Sequence, residues 1–134
     1  MTKNDAMTAA LGHTQQIYRA LSELSDLTQE MEAAVTGEDT VTLQLYLKLR
    51  ADVLDRAWEH KQQLRRLCSD LPSEEGERLL AILSAEAEEV TPDEQPLQGQ
   101  VQRNQTLLTR IIAADQRVSL RVGRDKSFYQ RTSR

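Results

Sequence analysis

VTGEDTVTLQLYLKLRADVLDR, residues 35–56, decides the fold, because two readings compete in it. Val41, Leu43, Leu45, Leu47 and Leu49 alternate with Thr42, Gln44, Tyr46 and Lys48, the two-residue period of a half-buried strand. A strand needs neighbours to complete its hydrogen bonds, and no second alternating segment occurs in the chain. Longer spacing favours a helix: Leu43, Leu47, Leu54, Ala57, Leu64, Cys68 and Leu71 fall on one stripe, with Tyr46 and Val53 beside it. Residues 40–71 are therefore expected to be helical. Val41 and Leu45 then lie well off the stripe and Leu49 at its margin, so the first turns are apolar around most of their circumference. Such a segment is either covered from several sides, by the returning C-terminal helix, or offered to a partner.

Upstream, Met7, Ala10, Thr14, Ile17, Leu21, Leu24, Thr28, Met31 and Val35 recur at steps of three and four, which predicts a first helix over residues 5–35. Gly12 weakens its beginning. Gly37 supplies a stop, and Asp39 or Thr40 can cap the helix that follows.

Downstream, Pro72 ends the second helix. Ser73 can cap a short third segment, residues 73–85, whose first turn holds Glu74, Glu75 and Glu77 and whose apolar face carries Leu79, Leu80, Ile82 and Leu83. Residues 86–96 read as an acidic linker containing two prolines. From Leu97 a seam of Leu97, Val101, Asn104, Leu108, Ile111, Asp115, Val118 and Val122 predicts a long helix over residues 97–124. Its polar members, Asn104 and Asp115, fix register at some cost in stability. Arg103, Arg110, Arg117, Arg124 and Arg131 follow at intervals of seven as a basic flank, and residues 125–134 lose the pattern and read as a flexible tail. The expectation is an all-α single domain: an elongated antiparallel helical hairpin, a short connector helix and a long third helix, together a three-helix bundle with coiled-coil character.

Composition narrows the function. With 17 basic against 21 acidic residues the net charge is −4, so no global bias asks for nucleic acid or an anionic membrane. The arginine flank follows an acidic tract that can neutralise it and lacks interleaved aromatics for base stacking, so no nucleic-acid partner is expected. No signal peptide and no membrane-spanning run is visible, and Cys68 is the sole cysteine, which together suggest a cytoplasmic protein without membrane insertion. No catalytic constellation can be assembled: the glycines are scattered and the serines lie in no nucleophile motif. His13 and His60, the only histidines, fall on different helices, and His60 reads as a surface residue. Cys68 reads as core filler and Trp58 as packing. No metal, cofactor or enzymatic activity is expected.

The hairpin EMEAAVTGEDTVTLQLYLKLRADVLDRAWEHKQQLRRL, with Gly37, Asp39, Leu43, Leu47, Arg50 and Leu54, resembles the bacterial flagellar export chaperones of the FlgN/FliT type. So does LQGQVQRNQTLLTRI, in which Asn104 precedes Leu107 and Leu108 as in the final helix of that family. The likeness spans residues 17–122; the turn reads Gly37-Glu38-Asp39 rather than Gly-Asp, and the ending SFYQRTSR departs from the family's. The resemblance implies a cytoplasmic chaperone without ATPase activity. It would hold an amphipathic helical segment of a hook-associated or filament-cap protein and deliver it to the type III export machinery.

The residues suggest how: a third helix on an acidic linker swings away and a client helix fills the exposed hairpin groove through spaced apolar anchors. The expected client contacts are Leu107, Leu108, Ile111, Ile112, Val118 and Val122, with Leu45 and Leu49 on the hairpin. The alternative is a structural coiled-coil adaptor or oligomeric scaffold, with a homodimer as its simplest form.

Overall fold

The computed structural model describes residues 2–124 as four α-helices with no strand among them: α1 (Lys3–Thr36), α2 (Thr40–Asp70), α3 (Ser73–Leu83) and α4 (Gln95–Arg124). The alternating residues, Val41 to Leu49, are helical throughout, and within residues 35–56 only the turn at 37–39 interrupts the helices. The expected tail, residues 125–134, lies outside the described residues, as do the Arg131 position and the Arg124 side chain.

Helix α1 begins earlier than its apolar stripe, because Thr2 and Asp5 form a capping box: each side chain takes the other's backbone N–H. The helix runs through Gly12 without a break. At its far end the left-handed residue is Glu38, at φ 54°, rather than Gly37, whose φ is −85°. Asp39 then caps α2 by accepting the Thr42 N–H at 3.0 Å. Those bonds to Thr42 hold the Asp39 carboxyl below the usual carboxylate range.

Helix α3 is not capped by Ser73, which is already helical; Pro72 occupies the cap position and makes no side-chain bond. What seats α3 is Gly76. A Cβ there would lie 2.3 Å from the Cys68 carbonyl oxygen, so only glycine lets α3 close onto the end of α2.

The segment expected to be a linker is held down. Thr91-Pro92-Asp93-Glu94 is a capping sequence for α4, and the Glu94 carboxylate reaches back to the Thr91 N–H at 3.0 Å. The same carboxylate, almost wholly buried, receives two bonds from the Arg78 guanidinium, at 2.8 and 3.1 Å, while Arg78 also bonds the Glu89 carbonyl. Arg78 and the Thr91 amide together hold the Glu94 pKa down to about 2.

Helix α1 is central. It packs closely along both α2 and α4, whereas the backbones of α2 and α4 come near each other far less. Residue pairing gives the directions: His13 meets His60 and Glu23 meets Arg56, so α2 runs antiparallel to α1. Asn104 meets Thr14 and Arg117 meets Glu32, so α4 runs parallel to it.

Three apolar clusters follow the long axis. Ala6, Ala10, Leu64, Leu71, Leu79, Ile82, Leu97 and Val101 gather where α3 docks. Ala20, Leu21, Leu24, Val53 and Ile111 form the middle, and Met31, Ala34, Val35, Leu43 and Val118 the turn end. Thr14 and Thr28 enter this core because each hydroxyl donates to the carbonyl four residues back, at 2.7 Å, leaving its methyl to pack.

Candidate functional site

Because α2 and α4 both lean on α1 without closing on each other, a groove of about 550 Å³ remains between them. Thr14, Ile17 and Leu21 of α1 form its floor. Leu54, Trp58, Lys61 and Arg65 stand along the α2 wall, and Val101, Asn104, Gln105 and Leu108 along the α4 wall. Leu80 and Leu83 of α3, with Cys68, close one end. Just beyond the other end, the Arg50 guanidinium of α2 pairs with the Asp115 carboxylate of α4 and ties the two walls together.

The walls are apolar and exposed. Trp58 keeps 54% of its surface, Leu80 52%, Leu54 46% and Leu108 42%. Leu47, one heptad before Leu54 on α2, and Ile112, one turn beyond Leu108 on α4, are also exposed but lie outside the groove, Ile112 in a separate shallow depression with Leu120. Large apolar side chains left open on facing helices mark an interaction surface more than a fold requirement.

Asn104, on the α4 wall, is committed inward. The Asn104 amide donates to the Thr14 carbonyl and accepts from Gln100, each at 2.9 Å, and Arg103 completes the chain by donating to Gln100. Both polar seam residues bond to neighbouring helices, Asn104 to the α1 backbone and Asp115 to Arg50 of α2. At the groove mouth the Arg65 guanidinium lies over the Trp58 ring, 5.6 Å from its centre. Cys68 is half-buried at the closed end, and burial pushes its thiol pKa up, away from nucleophilic character.

The eight expected client contacts separate into three groups. Leu108 lines the groove, and Ile112 is exposed one turn further on, outside it. Ile111, 2% exposed, and Val118 are core residues, while Leu107 and Val122 pack half-buried against the core, so these four are not surface anchors while α4 is docked. Leu45 and Leu49 are exposed but on another side of α2, since Leu45 lies half a turn around the helix from Leu54. The returning helix does not cover them, nor Val41, which is 76% exposed.

Sequence reasoning missed Leu54, Trp58 and Leu80. The stripe read along α2 merges two lines: its buried residues are Leu43, Val53 and Leu64, while Leu47 and Leu54 stay exposed and Leu54 lines the groove. The spacing of Leu47, Leu54, Trp58, Lys61 and Arg65 was the available signal: a second stripe ending in two cations.

On the opposite flank of the hairpin, His60 is not a simple surface residue. Its Nδ1 lies 2.9 Å from Nδ1 of His13, with ring centres 5.2 Å apart. Facing nitrogens at this separation share one proton in a hydrogen bond. Burial, and secondarily the neighbouring His60, lower the His13 pKa. Among the described residues no three His, Cys, Asp or Glu side chains are placed to hold a metal ion. The arginine flank is engaged in part: Arg103 bonds Gln100 and Arg117 bonds Glu32 at 3.0 Å, while Arg121, which is not of that series, bonds the Thr36 hydroxyl. No helix among the described residues is long and apolar enough to cross a membrane.

In comparisons with protein-family models, with curated proteins and with solved structures, the chain matches none.

Proposed function

We propose that this protein is a non-enzymatic chaperone that seats an amphipathic helix of another protein in the groove between α2 and α4. The observation that carries the reading is the pair of exposed apolar walls, with Leu54 and Trp58 facing Leu108 across an α1 floor. Three long helices with one open side form a three-helix bundle lacking a neighbour, and a fourth helix laid antiparallel or parallel in the gap buries both walls at once. A small-molecule site is less well matched, because such sites enclose most of their ligand, and this groove is an open trough about four turns of helix long with apolar walls.

The resemblance to flagellar export chaperones names the clients: a helical segment of a hook-associated or filament-cap protein, held in the cytoplasm for type III export. The swing of α4 expected from the sequence is not needed for that task. The groove is open with α4 docked, and the Arg78–Glu94 bonds hold the segment before α4 against α3.

The test is titration calorimetry of the purified protein with helical segments of the two client classes. One class should bind with one-to-one stoichiometry, and Trp58→Ala with Leu108→Ser should weaken binding at least tenfold while leaving helicity unchanged. Unaltered affinity in that folded variant removes the groove as the client site. Ile111→Ser is uninformative here, because Ile111 is core and its loss acts on stability.

The scaffold reading is favoured by a separate observation: Val41, Leu45 and Leu49 recur every four residues as an exposed stripe on α2 away from the groove. Sedimentation equilibrium checks it. A dimer that Leu45→Glu dissociates supports a self-associating scaffold, and a monomer across the concentration range removes it.

A further inference from the structure

The groove's charges are one-sided. Among the residues that line it, Lys61 and Arg65 are the charged ones; both are cations, both stand on the α2 wall, and they lie one turn apart. The facing wall offers neutral Asn104 and Gln105. The carboxylate nearest in the α4 sequence, Asp115, is engaged by Arg50. Arg65 is further oriented, since its guanidinium lies over the Trp58 ring at the groove mouth. A helix entering this gap places its apolar stripe on the floor and walls, and the residues bordering that stripe on one side then face two cations with no counter-charge among the lining residues.

We propose that the groove selects amphipathic helices whose apolar stripe is bordered by Asp or Glu on the side facing α2. Each such contact pairs an exposed cation at the groove edge with a carboxylate, and a Lys- or Arg-bordered helix meets like charge at the same place. Since the α2 wall runs from Leu54 to Cys68, about 20 Å of helix, the segment read is about four turns long. The inference rests on the groove being the client site and adds the charge of the occupant.

The experiment uses two synthetic peptides of about 18 residues with the same leucine stripe at i, i+4, i+7 and i+11, bordered by Glu in one and by Lys in the other. Binding of each labelled peptide to the full chain is followed by fluorescence anisotropy. The Glu-bordered peptide should bind about tenfold more tightly, with affinity that falls as salt rises. In Lys61→Glu with Arg65→Glu the order should reverse, and in the milder Lys61→Gln with Arg65→Gln it should flatten, each checked for unchanged helicity. Equal binding of both peptides by the wild-type protein, insensitive to salt, overturns the charge selection while leaving the groove reading intact. If neither peptide binds, or if binding survives Trp58→Ala with Leu108→Ser, both fall together. Should the free protein be a dimer that hides Trp58, a second copy is the occupant and the proposal is overturned.

Discussion

At the scale of single residues, Gly76 shows how little room the α2–α3 corner has. The carbonyl oxygen of Cys68 occupies the place of a side chain, and a backbone atom cannot rotate aside. Gly76→Ala should therefore destabilise the protein by about 1–3 kcal/mol, although alanine is the better helix former. Urea denaturation followed by circular dichroism measures it, and an unchanged midpoint would mean that α3 sits farther from α2. Nothing local in SEEGERLL marks this contact: a glycine near a helix start reads as a propensity defect until the neighbouring backbone is known. Trp58 was opaque for a similar reason. Its sequence position puts it beside an apolar stripe, and only the separation of α2 from α4 decides that its ring faces a gap. Thr14 and Asn104 were more legible, because polar residues at stripe positions announce either a back-bond or a cross-helix partner, and both occur.

At the scale of elements, the helices were readable from period alone. Apolar residues at three- and four-residue steps give α1, α2 and α4 almost to their ends, since a helix of this length must bury one face to be stable. Boundaries failed where capping chemistry replaced the apolar pattern: at Thr2 with Asp5, and at Thr91 with Glu94. The second of these changes the mechanical picture, because it turns an expected linker into a clamp. Glu94 is ionised in the folded protein down to pH about 2, against about 4.5 for a free glutamate, so between those values the unfolded chain binds more protons than the folded one. The clamp's contribution is present above pH 4.5 and is lost as the pH falls through that window. Allowing for the partial exposure of Arg78, the contribution is about 2–3 kcal/mol. Glu94→Gln should cost about that much at pH 7 and less than half as much at pH 3, which is still above the folded pKa of about 2, as read from urea midpoints at the two pH values. A difference between the two proteins that does not change with pH would contradict the clamp.

At the scale of the whole molecule, the distinctive feature is what is missing from the packing. Three long helices of similar length could have enclosed their apolar faces completely; here α1 serves two neighbours, and those neighbours are tied to each other near the middle of the molecule by Arg50 and Asp115. Beyond that tie the groove extends to α3, which closes its far end, and it is apolar on both walls and cationic on one lip. A protein gains nothing in stability from leaving Trp58, Leu54 and Leu80 in water, since completing their burial is worth roughly 1 kcal/mol each. Their exposure is understandable if another helix completes it. The excess of leucine in residues 41–54 already implied apolar surface beyond what the fold hides, but the sequence could not divide it into the groove wall and the separate stripe of Val41, Leu45 and Leu49. That division depends on where α4 lies.

Trp58 is the only tryptophan in the chain, so its fluorescence reports on the groove without a label. The most direct test is acrylamide quenching of Trp58 in the free protein and in the protein saturated with a bound client helix. The account predicts strong quenching in the free protein and, in the complex, a blue-shifted emission protected severalfold from quencher. A saturated complex in which Trp58 remains as accessible as before would place the client elsewhere and contradict it.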